Sequence, residues 1–143
     1  MKVLLLLMTA LLLRSPARSG LPVNEKVLKA FNETFRDATQ VNWYEAKNLY
    51  IVHFIKDAIR YNVTYDLEGK LLVSRRYYQE DRLPTQVLLK VKAHFNGKAI
   101  TGVTEIFDES GLYYYIALED EKNIWNVKLS QVEVVEVTRF RKV

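Results

Sequence analysis

Tyr61-Asn62-Val63 returns as Trp125-Asn126-Val127, and Val73-Ser74-Arg75 returns as Val137-Thr138-Arg139, both 64 residues further on. The same interval lays Tyr50-Ile51-Val52 on Tyr114-Tyr115-Ile116. Ahead of these, Val27-Leu28 and Phe35 return as Val87-Leu88 and Phe95 after 60 residues, so the second passage carries about four extra residues behind its helix. A chain that repeats itself at a fixed period repeats a supersecondary unit. The unit predicted is one helix followed by a four-stranded antiparallel meander. The expected fold class is therefore α+β: two tandem copies, with the helices packed on one face of the sheet. The pseudo-repeats fall at about 24–82 and 83–143.

The elements follow from periodicity. Asn24 can cap a helix by accepting from the free N–H groups of its first turn. Val27, Leu28, Phe31, Thr34 and Phe35 then form one stripe, which predicts a helix ending near Asp37. Period-two alternation predicts strands at 41–45, 49–55, 59–65 and 70–78, with turns at Lys47-Asn48, Lys56-Asp57-Ala58 and Asp66-Leu67-Glu68-Gly69. Gln79-Glu80-Asp81-Arg82 is a connection. Pro84 suits a first helical position, Val87, Leu88, Val91 and Phe95 repeat the apolar stripe, and Asn96-Gly97 stops it. Strands follow at 100–107, 112–119, 123–129 and 132–141.

Alternation assigns faces. Tyr50, Val52, Phe54, Tyr61, Val63 and Leu71 should point to the helices, as should Tyr114, Ile116, Leu118, Trp125, Val127 and Val135. The outward set is Ile51, His53, Arg60, Asn62, Ser74, Arg76, Tyr78, Tyr113, Tyr115, Asn126, Thr138 and Phe140.

Met1-Lys2, an apolar run from Val3 to Leu13 and Arg14-Ser15-Pro16-Ala17-Arg18-Ser19 read as the n-, h- and c-regions of a secretory signal. Ala17 and Ser19 fit the small positions of a cleavage site, so residues 1–19 are expected to be removed and 20–143 to form a single domain. The run is too short to span a bilayer, so no membrane anchor is expected after cleavage. The expected location is periplasmic or secreted. The segment takes Lys2, Arg14 and Arg18 with it, leaving 18 of the 21 basic residues against 17 acidic ones. That near-balance, with no clustered basic face, argues against nucleic acid as a partner. The absence of cysteine excludes a disulfide framework, a thiol nucleophile and a cysteine-based metal site.

Val41 and Trp43, Tyr50-Ile51-Val52-His53-Phe54, Tyr65-Asp66 with Gly69-Lys70, and Leu83-Pro84 carry a resemblance. The chain resembles the PepSY-like family related to beta-lactamase-inhibitor proteins, common in the periplasm of Bacteroidetes. The resemblance runs from about Val27 to Lys142 and rests on structural motifs. It implies a small, exported, non-catalytic protein. The beta-lactamase inhibitor binds an enzyme with the open face of its tandem-repeat sheet, and PepSY modules are thought to restrain peptidases. No inhibitory loop motif matches residue by residue.

Chemistry-bearing constellations are absent from the sequence. His53 and His94 have no acidic residue at ligand spacing, so no metal site is expected. The serines lie in no nucleophile elbow. Glu80-Asp81 and Glu119-Asp120-Glu121 are turn carboxylates without the contrasting environments that an acid and a base require. No catalytic residues and no cofactor are expected, and the chain is read as no enzyme. The candidate site is a protein-binding set: Arg76, Tyr78, Tyr113, Tyr115 and Phe140, placed on one outward face. Tyr and Arg give large contact area with polar handles. The expected function is an exported binding module for a protein or peptide, restraining a periplasmic hydrolase through that open face. The alternatives are a structural or envelope-assembly component and an enzyme of unrecognised mechanism.

Overall fold

The computed structural model describes residues 22–131 and 133–143. The secretory segment at 1–19 and the start of the domain at Gly20 lie outside the described residues, as does Val132 in the last expected strand.

The elements are α1 (Glu25–Thr34), β1 (Thr39–Ala46), β2 (Leu49–Lys56), β3 (Ile59–Asp66), β4 (Leu71–Tyr78), a short 3₁₀ turn (Glu80–Arg82), α2 (Thr85–His94), β5 (Ala99–Asp108), β6 (Gly111–Glu119), β7 (Asn123–Ser130) and β8 (Val134–Arg141). The expected pair of helix-plus-meander copies does not describe this arrangement. The strands form one eight-stranded sheet in the order β1-β2-β3-β4-β5-β6-β7-β8, antiparallel throughout, and it carries two short helices. The boundary between the supposed copies is itself bonded sheet: Ser74 to Tyr78 of β4 pair with Val103 to Phe107 of β5. Ile59 and Tyr78, from β3 and β4, pack in the core beneath α2. The repeated sequence encodes repeated local patterning. It does not encode an edge after β4, because Tyr77-Tyr78 offers β5 an unbroken ladder and burial beneath α2.

Asn24 caps α1, its side chain accepting from the Lys26 N–H at 2.8 Å, and its amide donates to the Leu67 carbonyl at 3.2 Å. The β3–β4 turn is thereby docked on the start of α1. Gly69 sits in this turn at φ +84°, and a Cβ there would lie 2.8 Å from the Lys26 carbonyl oxygen. Both the conformation and the close approach demand glycine. α1 buries Val27 and Phe31 against Tyr50, Val52, Phe54, Val63 and Tyr65. The Phe31 ring meets Phe54 and Trp43 edge-on at centroid distances of 5.1 and 5.2 Å, the offset geometry aromatic pairs prefer. α2 buries Val87 and Val91 against Val103, Tyr114, Ile116, Leu118, Trp125, Val127 and Leu129. Both helices lie on the same side of the sheet, because the residues they cover are joined across it by cross-strand partners: Tyr61 to Arg76, Arg76 to Glu105, Glu105 to Tyr114 and Tyr114 to Leu129.

Two bulges correct the face assignment. Tyr65 pairs with Leu71 but Thr64 pairs with Val73, so Leu72 is an extra residue in β4. Beyond it every side chain swaps faces. Ser74, Arg76 and Tyr78 therefore point to the helix side, not outward, and Tyr78 is buried. In β8, Val134 pairs with Leu129 and Glu136 with Lys128, which leaves Val135 as the extra residue. It is exposed, not in the core.

The Tyr65 side chain is fully buried, and its hydroxyl has no hydrogen-bond partner among the described residues. Burial pushes its pKa up to about 12 from 10.0. The folded state thus keeps its proton where the unfolded chain has lost it. The stability this contributes is whole below pH 10, and it falls as pH rises from there towards about 12. Tyr65→Phe should raise stability at neutral pH by about 1 kcal/mol, since a buried unpaired donor is removed. It should also flatten the alkaline loss. Urea midpoints measured from neutral to strongly alkaline pH check both outcomes.

Candidate binding face

The second face of the sheet is covered by no described element. The hairpin turns that frame it hold their residues in left-handed conformations: Lys47 and Asn48 at φ 48° and 65°, Asp57 and Ala58 at 52° and 62°. That pattern matches the tight two-residue turns whose twist suits antiparallel strands.

One row crosses the middle of this outer face. Arg60 lies beside Tyr77, Tyr77 beside Thr104, Thr104 beside Tyr115, Tyr115 beside Lys128 and Lys128 beside Glu136. Its cations sit on its aromatics. The Arg60 guanidinium is 5.8 Å from the Tyr77 ring centre, and the Lys128 ammonium is 4.5 Å from that of Tyr113 and 5.6 Å from that of Tyr115. The next row holds Asn62, Arg75, Ile106, Tyr113 and Ser130. Towards the far edge, Ile124 stands opposite Phe140, both exposed.

Of the five residues expected to share a binding face, Tyr113, Tyr115 and Phe140 do lie on the outer side. Tyr115 is 39% and Phe140 52% exposed. Arg76 and Tyr78 lie on the opposite, helix-bearing side, where they hold a buried carboxylate. Arg76 Nε donates to Glu105 Oε1 at 2.9 Å, its Nη2 donates to the same oxygen, and the Tyr78 hydroxyl donates to Oε2 at 2.7 Å. Burial, then the bond to Glu105, pushes the Tyr78 pKa far above its usual value. This arrangement satisfies a buried charge and has a structural role. Sequence reading passed over Arg75, Tyr77 and Lys128. The Leu72 bulge brings Arg75 and Tyr77 to the outside, and Lys128 follows from plain alternation with the buried Val127.

Two depressions mark the face. One, of about 780 Å³, is lined by Arg60, Tyr77, Arg82, Gly102, Tyr115 and Asn126, among others. The other, of about 360 Å³, contains Gln40, Asn42, His53 and Asn62 and shares Arg60 and Tyr77 with the first. Asn62 Nδ2 lies 2.9 Å from His53 Nε2, while its buried Oδ1 has no partner among the described residues. No group of three or more His, Asp or Glu side chains able to hold a metal ion occurs among the described residues. No described helix is long and apolar enough to cross a membrane.

No protein-family model matches the chain. No curated protein matches it either. Solved structures do. The chain is similar to a BLIP-like protein from Bacteroides fragilis, at 16% identity over 87% of this chain and 92% of that one, with a TM-score of 0.68. It is also similar to a DUF2874 family protein from Bacteroides ovatus, at 15% identity over 84% and 89%, TM-score 0.67. A third likeness is to a protein from Bacteroides eggerthii, provisionally described as periplasmic, at 15% identity over 82% and 88%, TM-score 0.65. The resemblance read from the sequence thus holds as a fold: this chain shares its fold with the BLIP-like protein and with these two further Bacteroides proteins.

Proposed function

We propose that the chain is an exported, non-catalytic binding module that receives a protein or peptide on its outer sheet face. One observation carries the reading. Both helices pack on one side of the sheet, and the other side presents Tyr77, Tyr113, Tyr115, Lys128, Ile124 and Phe140 with no described element over them. Aromatic side chains beside cations are the composition of binding hot spots. The secretory pattern at residues 1–19 supports export, and likeness to a BLIP-like protein supports restraint of a hydrolase as the form the binding takes.

The test is affinity capture from periplasmic extract, with each retained protein titrated against variants. Tyr113→Ala/Tyr115→Ala should weaken the partner by about 2 kcal/mol or more, while stability stays within about 1 kcal/mol. Leu89→Ala, at an exposed position on α2, should change neither. Undiminished affinity in the double variant would remove the outer face as the site.

A further inference from the structure

We infer that the larger outer depression is a groove for an extended acidic segment of a partner protein, anchored on Arg60 in the depression and on Arg75 in the neighbouring row of the same face. This rests on the reading of the outer face as the binding face, and it adds the partner's chemistry and position.

Charge is the first ground. The central strands β3 to β6 present Arg60 and Arg75 outward, and neither has a carboxylate within ion-pair distance among the described residues. The carboxylates on the same side of these strands stand only at strand ends, away from Arg60 and Arg75. Asp66 accepts from the N–H groups of Glu68 and Lys70, Asp108 accepts from Ser110, and Glu119 pairs with Lys142 at 3.0 Å. At the mouth of the groove Asp81 is paired with Arg82 at 3.6 Å. Arg60 and Arg75 at the centre of the face are thus left without a carboxylate partner, the acids standing at the strand ends and Glu136 beside Lys128 on β8, which favours an anionic group over the two arginines.

Shape is the second ground. Between Ile100 and Gly102 the β5 register slips by one residue, and Gly102 pairs with Ala117, next to Asn126. Gly102 and Asn126 line the depression together with Tyr77 and Tyr115. Gly102 has no positive φ, and a Cβ built on it meets nothing within 4 Å. Neither packing nor backbone geometry calls for glycine, yet glycine within a strand sacrifices stability. What its absent side chain gives is room for another backbone to approach. From Arg60 to Lys128 the row spans four strand spacings, about 19 Å, the length of roughly six extended residues.

The probe is a fluorescein-labelled peptide of alternating Glu and Val residues, read by fluorescence polarisation at low ionic strength, with Gln–Val and Lys–Val counterparts. The acidic peptide should bind about tenfold or more tightly than either counterpart. Arg60→Glu/Arg75→Glu should weaken it by about tenfold or more. Gly102→Leu should do the same by filling the floor, with the melting temperature not lowered, because a Cβ at this position meets nothing within 4 Å. Equal binding of the three peptides would overturn the inference, as would acidic binding indifferent to the arginine variant. Loss with the arginine variant alone, from a folded Gly102→Leu protein that still binds, would overturn the groove. If the captured partner is lost in Tyr113→Ala/Tyr115→Ala while the acidic peptide ignores Arg60→Glu/Arg75→Glu, the outer-face reading stands and this inference falls.

Discussion

Trp125→Ala is expected to lower the unfolding free energy by about 3–5 kcal/mol, the range for removing a large aromatic from a packed core. Trp125 is 9% exposed and lies in the cluster beneath α2, beside Leu118 on the neighbouring strand. The Lys98 ammonium sits 4.5 Å from its ring centre and closes the solvent side. Truncation would remove the packing and leave that ammonium without its ring. Urea unfolding followed by circular dichroism measures the loss. A change below about 1 kcal/mol would place Trp125 at the surface. The comparison with Tyr61 is informative. Tyr61 holds the matching place in the repeated sequence but is only half-buried, stacked on Phe54 at 4.8 Å. Tyr61→Ala should therefore cost less than Trp125→Ala.

The second large effect is expected at Glu105. Its carboxylate is the only charged group among the described buried residues, and it accepts from both Arg76 and Tyr78. Glu105→Ala would strip the buried Tyr78 hydroxyl and the Arg76 guanidinium of their acceptor together. Leaving a buried pair broken costs about 3–5 kcal/mol. Because Arg76 keeps 37% of its side chain exposed and can turn to water, the expected loss is smaller, about 2–3 kcal/mol. Glu105→Gln retains an acceptor and should lose less than Glu105→Ala. Denaturant titration of both variants ranks them. An alanine variant as stable as the glutamine variant would show that the acceptor for Arg76 and Tyr78 contributes nothing to stability.

The pattern of elements was legible in the chain. Asn24 before an apolar stripe, Lys47-Asn48 and Asp57-Ala58 between alternating runs, and Asn96-Gly97 after the second stripe mark local events whose signals are local. The grouping of those elements was not legible as two copies. Whether β4 ends a sheet or continues into β5 depends on pairing between residues about thirty apart, which no local pattern encodes. The faces were legible wherever alternation ran unbroken, as for Tyr114, Ile116, Leu118, Trp125 and Val127 in the core, and failed at two bulges. One extra residue at Leu72 inverted Arg76 and Tyr78, and another at Val135 inverted the start of β8. For this reason the expected binding set divides between the two sides of the sheet. Tyr113, Tyr115 and Phe140 follow strand stretches where alternation runs undisturbed to the partner strand. The carboxylate network was invisible because Glu105 reads in sequence as an ordinary strand acid until β4 is laid beside it.

The most direct test of the outer face as the binding surface is hydroxyl-radical footprinting of the protein alone and in complex with the partner captured on it. Tyr77, Tyr115 and Phe140 should lose reactivity in the complex, while exposed Leu89 on α2 keeps it. Protection confined to Leu89 and the helix side, with Tyr77, Tyr115 and Phe140 as reactive as in the free protein, would contradict the account.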